Sequence, residues 1–340
     1  LKRKNPKRGL DVDPDWEAIS WDEALDIVAE NLKRIRQEDP RQLFFSSGAV
    51  DERYTDIFLW KSIYGCHPYD LWFGGAGTCG MAEHSVSVIY HGANDMMPDA
   101  GLTNYYMLVG TSLGFGTHLG GATTFCSRTA DDRVERGMKV VVVDPRCSEA
   151  ASKADEWIPI RPGTDLALLL AMMHVMIHEL EKYDAEFIRN NTNGPYLIKS
   201  DGYYAKNDEG KPLVWDEVDQ KAKSFDDPSI KQLAIDGIYE VGGIEVKVAF
   251  ELLRETVREY SPEWAEAKTD IPAQTIRRIT KEFVEAAQIG STIDIQGVTL
   301  PYRPVALISY NGSQRHRNGA YLAMAQNLVN ILVGSIDVPG

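Results

Sequence analysis

The chain has 340 residues, 44% hydrophobic and 25% charged, with a formal net charge of −14 at pH 7. That is globular material long enough for two domains, and its 28 glycines and 16 prolines indicate many turns rather than disorder, because the apolar content is ordinary. So acidic a balance argues against a nucleic-acid partner, and the one basic cluster, Lys2, Arg3, Lys4, Lys7 and Arg8, fits solubility or docking better than phosphate binding.

Ser20 and Glu23 form a capping box ahead of a helix in which Ala24, Leu25, Ile27, Val28, Leu32 and Ile35 recur at helical spacing, and Asp39-Pro40 stops it. Leu43-Phe44-Phe45 predicts a short buried strand, and a second helix is expected from about 51 to 63. A strand over Tyr105 to Val109 ends in Gly110-Thr111-Ser112. The run from Gly114 to Gly121 then leads into a helix reaching Arg136. Lys139 to Val143 is a second, continuously apolar strand ending in Asp144-Pro145-Arg146. Strand, helix and strand with such apolar strands read as βαβ in a parallel sheet, so the fold class is α/β. Trp157 to Ile160 adds a strand, broken at Pro162-Gly163, and a long apolar helix is expected from Asp165 to Glu181.

Residues 190–245 are polar and turn-rich and read as an inserted, surface-exposed segment. Helical periodicity returns from about Val246 to Tyr260 and from Pro272 to Ala287, with Pro272 suited to a first helical turn. Val305 to Ser309 is a strand running into the polar stretch Asn311 to Asn318, and a last apolar helix spans Ala320 to Val333.

The chemistry gathers in two places. Gly74-Gly75-Ala76-Gly77-Thr78-Cys79-Gly80 crowds glycines before a single cysteine, which lets backbone approach a bulky group, although cysteine is equally common as a small buried hydrophobe. The other place is the set of loops at the strand ends, since ligands of open parallel sheets collect outside the carboxyl ends of the strands. Asp144 stands where a carboxylate takes ribose hydroxyls. Asp165 either binds nucleotide or caps its helix. Arg146 and Arg161 suit a diphosphate or a plain surface. Gln314, Arg315 and His316 converge after a strand. The glycines at 114–121 do not form G-x-G-x-x-G, so a nicotinamide dehydrogenase is poorly supported. His174 and His178, four apart on an apolar helix, read as core with Met172, Met173 and Met176, not as metal ligands. The four cysteines, Cys66, Cys79, Cys126 and Cys147, contain no C-x-x-C, which excludes a zinc ribbon, a visible iron–sulfur pattern and a disulfide scaffold.

Five segments in order resemble the catalytic subunits of molybdopterin oxidoreductases, the group related to dimethyl-sulfoxide reductase. They are Trp16 to Ala24, Val142 to Arg146, Ala154 to Asp165, Tyr260-Ser261-Pro262-Glu263, and Asn318-Gly319 leading into Leu328 to Gly340. The resemblance implies central domains with parallel Rossmann-like sheets flanked by helices. It implies a discontinuous α/β domain from 1–100 and 260–340, which contributes the metal-ligand loop, around an inserted nucleotide-binding domain at 101–259. The implied cofactor is bis(molybdopterin guanine dinucleotide) carrying molybdenum or tungsten. Gly110, Ser112, Asp144, Arg146, Gly163, Thr164 and Asp165 match loop positions around one guanine nucleotide, and Gln314 and His316 match polar positions near the pterin. Cys79 stands where the family's protein-derived metal ligand lies, and a thiolate suits a soft metal site. His84 either lines the active site or caps a helix.

The implied 4Fe–4S cluster is not ligated by these residues, and the family's N-terminal iron–sulfur and C-terminal β-rich domains are not in them. A chain starting at Leu1 and stopping at Val338-Pro339-Gly340 is expected to be a portion of a longer protein. No run of 18 apolar residues and no export signal occurs in it, which leaves periplasm and cytoplasm, and attachment to a membrane through partner subunits, all open. Gly80, where formate dehydrogenases of the family carry histidine, disfavours formate. The expected activity is two-electron reduction or oxidation of a small sulfur, arsenic or nitrogen oxyanion. The partners it implies are an iron–sulfur electron-transfer subunit together with a membrane-anchor subunit. Non-redox hydration on the same scaffold, and a non-catalytic electron-transfer subunit, are the alternatives.

Overall fold

The computed structural model describes residues 1–43, 64–65, 81–93, 98–99, 101–111 and 135–340. The strand expected at Phe44, the helix at 51–63, the loop around Cys79 and the glycines at 114–121 lie outside them. The chain divides into two compact units, Leu1–Ala76 and Gly77–Gly340. In the first, β1 (Lys2–Arg3) pairs antiparallel with β2 (Trp16–Glu17) ahead of α1 (Trp21–Glu38). Ser20 Oγ accepts the Glu23 amide at 3.1 Å, but the returning half of the capping box is not made, because the Glu23 carboxylate lies 3.3 Å from Lys2 Nζ. Asp39 ends the helix in extended backbone, as Asp39-Pro40 predicts.

The second unit opens with α2 (Met81–His91), β3 (Tyr105–Val109), β4 (Lys139–Val143), α3 (Glu149–Lys153), β5 (Glu156–Ile158) and α4 (Asp165–His174). There follow α5 (Ala185–Asn191), the short strands β6 (Leu197–Lys199), β7 (Leu213–Asp216), β8 (Lys221–Ser224), β9 (Ile238–Val241) and β10 (Ile244–Val248), then α6 (Ala249–Val257), α7 (Pro262–Thr269) and α8 (Ala273–Ala286). The hairpin β11 (Thr292–Ile295) and β12 (Val298–Pro301), then β13 (Val305–Ser309), α9 (Asn311–Gln314) and α10 (Gly319–Leu332) complete it.

The central sheet has the order β13-β3-β4-β5 and is parallel throughout. It takes β13 from beyond residue 260, across the boundary expected there. Both faces are covered, which is why its strands read as unbroken apolar runs. Tyr105, Met107, Val109, Val141 and Val143 join the larger core with α4, α8 and α10, while Tyr106, Leu108, Val140 and Val142 join a smaller one with α3.

Three expectations need correction. Residues 190–245 are not merely a polar surface loop. They fold into antiparallel pairs around a small core of Leu197, Ala205, Leu213, Ala234, Val246 and Val248. Within that segment the Lys223 ammonium is buried and donates to Asp216 Oδ2 at 2.7 Å, Asp219 Oδ2 at 2.6 Å and the Ser229 carbonyl at 2.7 Å, using all three of its protons. Lys223 holds the Asp216 carboxyl far below the usual range. Second, Val246 to Val248 is strand rather than helix, and Pro272 sits at the N-cap of α8 rather than in its first turn. Third, the helix from Asp165 stops at His174 and continues as a π-helical turn over Val175–Glu179. His174 Nδ1 and His178 Nε2 meet the carbonyls of Val257 and Arg254 at 3.0 and 2.8 Å, in the last turn of α6, where carbonyls run short of intrahelical donors.

The outer edge of β13 is occupied by side chains. Asn330 Oδ1 accepts the Leu307 amide at 3.1 Å and Asn330 Nδ2 donates to the Leu307 carbonyl at 2.8 Å, while Gln326 Oε1 accepts the Ser309 amide at 2.6 Å. Two amides four apart on α10 thus answer strand groups two apart. Asn330→Leu should strand both Leu307 groups in the core and cost about 1–3 kcal/mol for each. An unchanged urea midpoint would refute this account of the edge.

Candidate functional site

The sheet's two ends are treated differently. At the amino end, Glu282 of α8 binds Lys139 Nζ at 2.6 Å and takes the Tyr105 hydroxyl at 3.4 Å, closing that edge with an ion pair. At the carboxyl end four loops meet.

The loops after β3 and β13 touch through backbone. Gly110 has φ +60° and donates its amide to the Val143 carbonyl at 2.8 Å. A Cβ on Gly110 would stand 2.9 Å from the Ser313 amide nitrogen, and one on Gly312 would stand 2.2 Å from the Gly110 carbonyl oxygen. Ser313 Oγ fastens the pair by donating to the Val109 carbonyl at 3.0 Å. After β4, Asp144 Oδ1 accepts the Arg146 amide at 2.9 Å, which curls the turn and leaves the Arg146 side chain exposed. Beyond β5, Arg161-Pro162-Gly163-Thr164 forms a turn closed by the Thr164 amide on the Arg161 carbonyl at 3.3 Å, with Gly163 at φ +78° and open space where its Cβ would be. The Arg161 guanidinium, a candidate for diphosphate, is instead paired with Asp270 through two nitrogens.

Asp165 opens α4 and is 3% exposed. Thr164, not Asp165, occupies the N-cap, and it makes no side-chain cap bond. Burial pushes the Asp165 carboxyl up, its own amide and His316 pull it down, and Asp144 adds to the rise. Residues from three strand ends, Asp144, Asp165 and His316, therefore share one electrostatic neighbourhood. His316 Nδ1 accepts the Asn318 amide at 3.1 Å, which places the ring proton on Nε2. That Nε2 is buried without a hydrogen-bond partner among the described residues, and so is Asn311 Oδ1. A buried acid, an orphaned donor and an orphaned acceptor at one sheet edge make this edge the candidate ligand site, because buried polar groups are left unpaired only at a cost.

The sign of the Asp165 effect is testable. A carboxyl whose pKa is raised by folding binds its proton better folded than unfolded. Its stability is therefore full below the ordinary aspartate range, near ~3.9, and is lost as pH rises through the folded value. Asp165→Asn should stabilise the ligand-free chain relative to wild type, by a margin that opens above about pH 4 and then levels off. Urea midpoints of both proteins from pH 4 to 8 check this, and a margin independent of pH contradicts it.

Of the other candidates, Cys79 and Ser112 lie outside the described residues. His84 is buried on α2 with Nε2 3.4 Å from the Tyr310 hydroxyl, so it faces the loop after β13. Gln314 is buried with both ends of its amide engaged by protein. Sequence reasoning missed Asn311 as a site residue and missed Glu83. The only signal was a carboxylate four residues after Cys79, which in a first helical turn ordinarily reads as a solvent-facing complement to the helix dipole.

A doubly covered parallel sheet whose glycine turns and unpaired polar groups gather at the strands' carboxyl ends is the arrangement in which open α/β folds bind ligands. The comparisons make that specific: residues 7–340 match the molybdopterin oxidoreductase family, and the chain belongs to it. It is 27% identical to a sulfite dehydrogenase subunit of Allochromatium vinosum over 96% of this chain and 35% of that protein. It is 31% identical to the thiosulfate reductase molybdopterin-containing subunit PhsA of Salmonella typhimurium over 84% of this chain and 29% of that protein. In structure it resembles acetylene hydratase from Pelobacter acetylenicus, with a TM-score of 0.55 and 23% identity over 99% of this chain and 35% of that one. The chain spans about a third of the length of these relatives. Membership implies a molybdopterin-bound metal, molybdenum or tungsten.

Proposed function

We propose that this chain is the cofactor-binding core of the catalytic subunit of a molybdenum- or tungsten-dependent oxidoreductase acting on a small inorganic oxyanion or sulfur compound. The observation that carries the reading is the orphaned set at the carboxyl edge. Asp165, His316 Nε2–H and Asn311 Oδ1 offer acceptors and a donor in a buried place, which suits a guanine or ribose edge, and the exposed Arg146 suits phosphate. The turns at Gly110 and Gly163 stand at the strand ends where that nucleotide would sit, with Ser112, Asp144 and Thr164 in the same loops. Together they hold one arm of a bis(molybdopterin guanine dinucleotide). Cys79, four residues ahead of Glu83, is the protein's ligand to the metal, and buried His84 lies on the helix that follows it in sequence. When bound, the metal supplies the two-electron couple through which an oxygen or sulfur atom is exchanged with the substrate. The protein's residues bind, orient and exclude water. Kinship with enzymes of sulfite and thiosulfate favours a sulfur oxyanion. A 4Fe–4S cluster, an iron–sulfur partner subunit and a membrane-anchor subunit would complete the electron path of such an enzyme.

Metal and pterin analysis of the full-length protein tests the reading. Molybdenum or tungsten with pterin and releasable guanine nucleotide is expected, and neither metal with pterin would overturn it. Metal-edge X-ray absorption of Cys79→Ala should show one sulfur fewer. An intact sulfur shell removes Cys79 as ligand. A metal that does not change oxidation state during turnover would favour hydration over redox chemistry.

A further inference from the structure

A cavity of about 750 Å³ lies where the ends of α2 and α5, the start of α6, the last turns of α10 and the tyrosines Tyr196 and Tyr204 come together. Small-molecule sites occupy about 300–1,000 Å³, whereas packed interiors leave few voids larger than a water molecule. The chain is 25% charged, yet none of the described residues lining the cavity is Asp, Glu, Lys or Arg. Polar side chains in the wall are tied back into the protein. Thr192 Oγ1 donates to the Ile188 carbonyl at 2.7 Å and accepts the Gly194 amide at 2.9 Å, and His91 Nε2 meets Asn327 Oδ1 at 2.7 Å. Ring contacts hold the aromatic walls in place: Tyr196 stands edge-on to Tyr204 with centroids 5.3 Å apart, and Phe250 tilts against Tyr183 at 5.1 Å. The space is therefore preformed, and filling it asks for little reordering of the wall. One wall group keeps something to offer. Tyr204 Oη accepts Asn193 Nδ2–H at 3.0 Å, which leaves its own proton for a further acceptor. The cavity is also away from Asp165 and His316. α10 runs back along β13, with Gln326 answering Ser309 and Asn330 answering Leu307, so Ile331 and Leu332 of the cavity wall lie toward the amino half of that strand.

We propose that this cavity is a second binding site, for a neutral ring-bearing small molecule with a carbonyl or hydroxyl oxygen that takes the Tyr204 proton. Charge decides the class. An oxyanion or a nucleotide phosphate entering this lining would lose its hydration with no cation to receive it. A flat apolar body is matched instead by Phe187, Tyr196 and Phe250, and its single oxygen by Tyr204. Such a ligand differs in kind from the charged nucleotide that suits the strand ends, so the two sites do not compete for one molecule.

Prodan, a neutral naphthalene ketone whose emission moves to the blue in apolar surroundings, tests the site on the full-length protein. Saturable binding of one Prodan per chain with a blue shift is expected. Anilinonaphthalene sulfonate, of similar ring size but with a fixed negative charge, should bind at least about tenfold more weakly. Leu253→Trp puts an indole into the space and should abolish Prodan binding, while the urea midpoint and metal content stay near wild type. Tyr204→Phe should weaken Prodan about tenfold and keep the blue shift, because only the hydrogen bond is removed. If Leu253→Trp does not fold, Ala249→Leu narrows the same cavity and carries the comparison. Prodan binding untouched by the filling substitution overturns the proposal, as does a wild-type affinity in Tyr204→Phe. Equal affinity for the sulfonate, or no saturable binding to the full-length protein, overturns it as well.

Discussion

Asp184→Ala should lower the stability of the chain by about 3–5 kcal/mol, the cost of stranding a buried charge. Arg303 and Asp184 are both buried, with Arg303 Nη2 2.6 Å and Nε 3.0 Å from Asp184 Oδ2. Arg303 Nη1 adds the carbonyls of Tyr302 at 2.7 Å and Ser291 at 3.1 Å. Asp184 Oδ1 meanwhile caps α5 through the Phe187 amide at 2.9 Å, so one carboxylate serves a charge and a helix end at once. The final segment is shaped around this pair. A Cβ on Gly334 would lie 2.6 Å from Asp184 Oδ2, and one on Gly340 would lie 2.7 Å from the Arg303 carbonyl. Pairing Asp184→Ala with Arg303→Met should recover part of the loss, because the double change leaves no lone buried charge. Urea titration followed by tryptophan fluorescence reads both. A single mutant within about 1 kcal/mol of wild type would show that the pair is not the anchor described.

Gly312→Ala should damage the site more than its size suggests. The added carbon would meet a backbone oxygen 2.2 Å away, and no side-chain rotation relieves that. The loop after β13 must withdraw from the end of β3, breaking the Ser313 bond to Val109 and moving His316 relative to Asp165. Overpacking of this kind costs about 1–3 kcal/mol, at times more. The expected signature is loss of guanine nucleotide from the purified holoprotein together with a lower urea midpoint. Gly297→Ala, in the turn between β11 and β12, is the control: its φ of +82° strains any other residue, but its Cβ would enter open space, so it should cost only about 1–2 kcal/mol. Equal nucleotide retention in the two variants would contradict the close approach as the cause.

What the sequence made legible follows physical lines. Tyr105–Val109, Lys139–Val143 and Val305–Ser309 are readable as strands because both faces of their sheet are buried, which forces unbroken apolar runs. Ser20 is readable because capping is local. The segment at 190–245 misleads because its strands are three to five residues long, too short to display alternation, and their core is small. Asn330 and Gln326 sit in a helix that reads as apolar, and their purpose is visible only once β13 lies beside them. Loop membership names Asp165 and His316, but nothing local says that one is buried without a cap to make or that the other holds an unanswered proton. Those facts arise when strands far apart in sequence end at one edge. Glu83 is hidden for the same reason, its partner being 231 residues away.

The pairing of β6 with β10 has a consequence for how this family can vary. Lys199 stands opposite Val246, and Leu197 opposite Val248, so the chain departs from and returns to the main body at adjacent points. Everything between them behaves as a detour with a shared doorway, furnished with its own core and with a lysine-centred knot in place of a bound cation. Lengthening, shortening or exchanging such a detour asks only for two neighbouring ends to be rejoined, which costs little closure entropy and leaves the four-stranded sheet undisturbed. Evolution and protein engineers thus have the same point of entry, at which the detour can be rewritten without rethreading the strands that carry the candidate site.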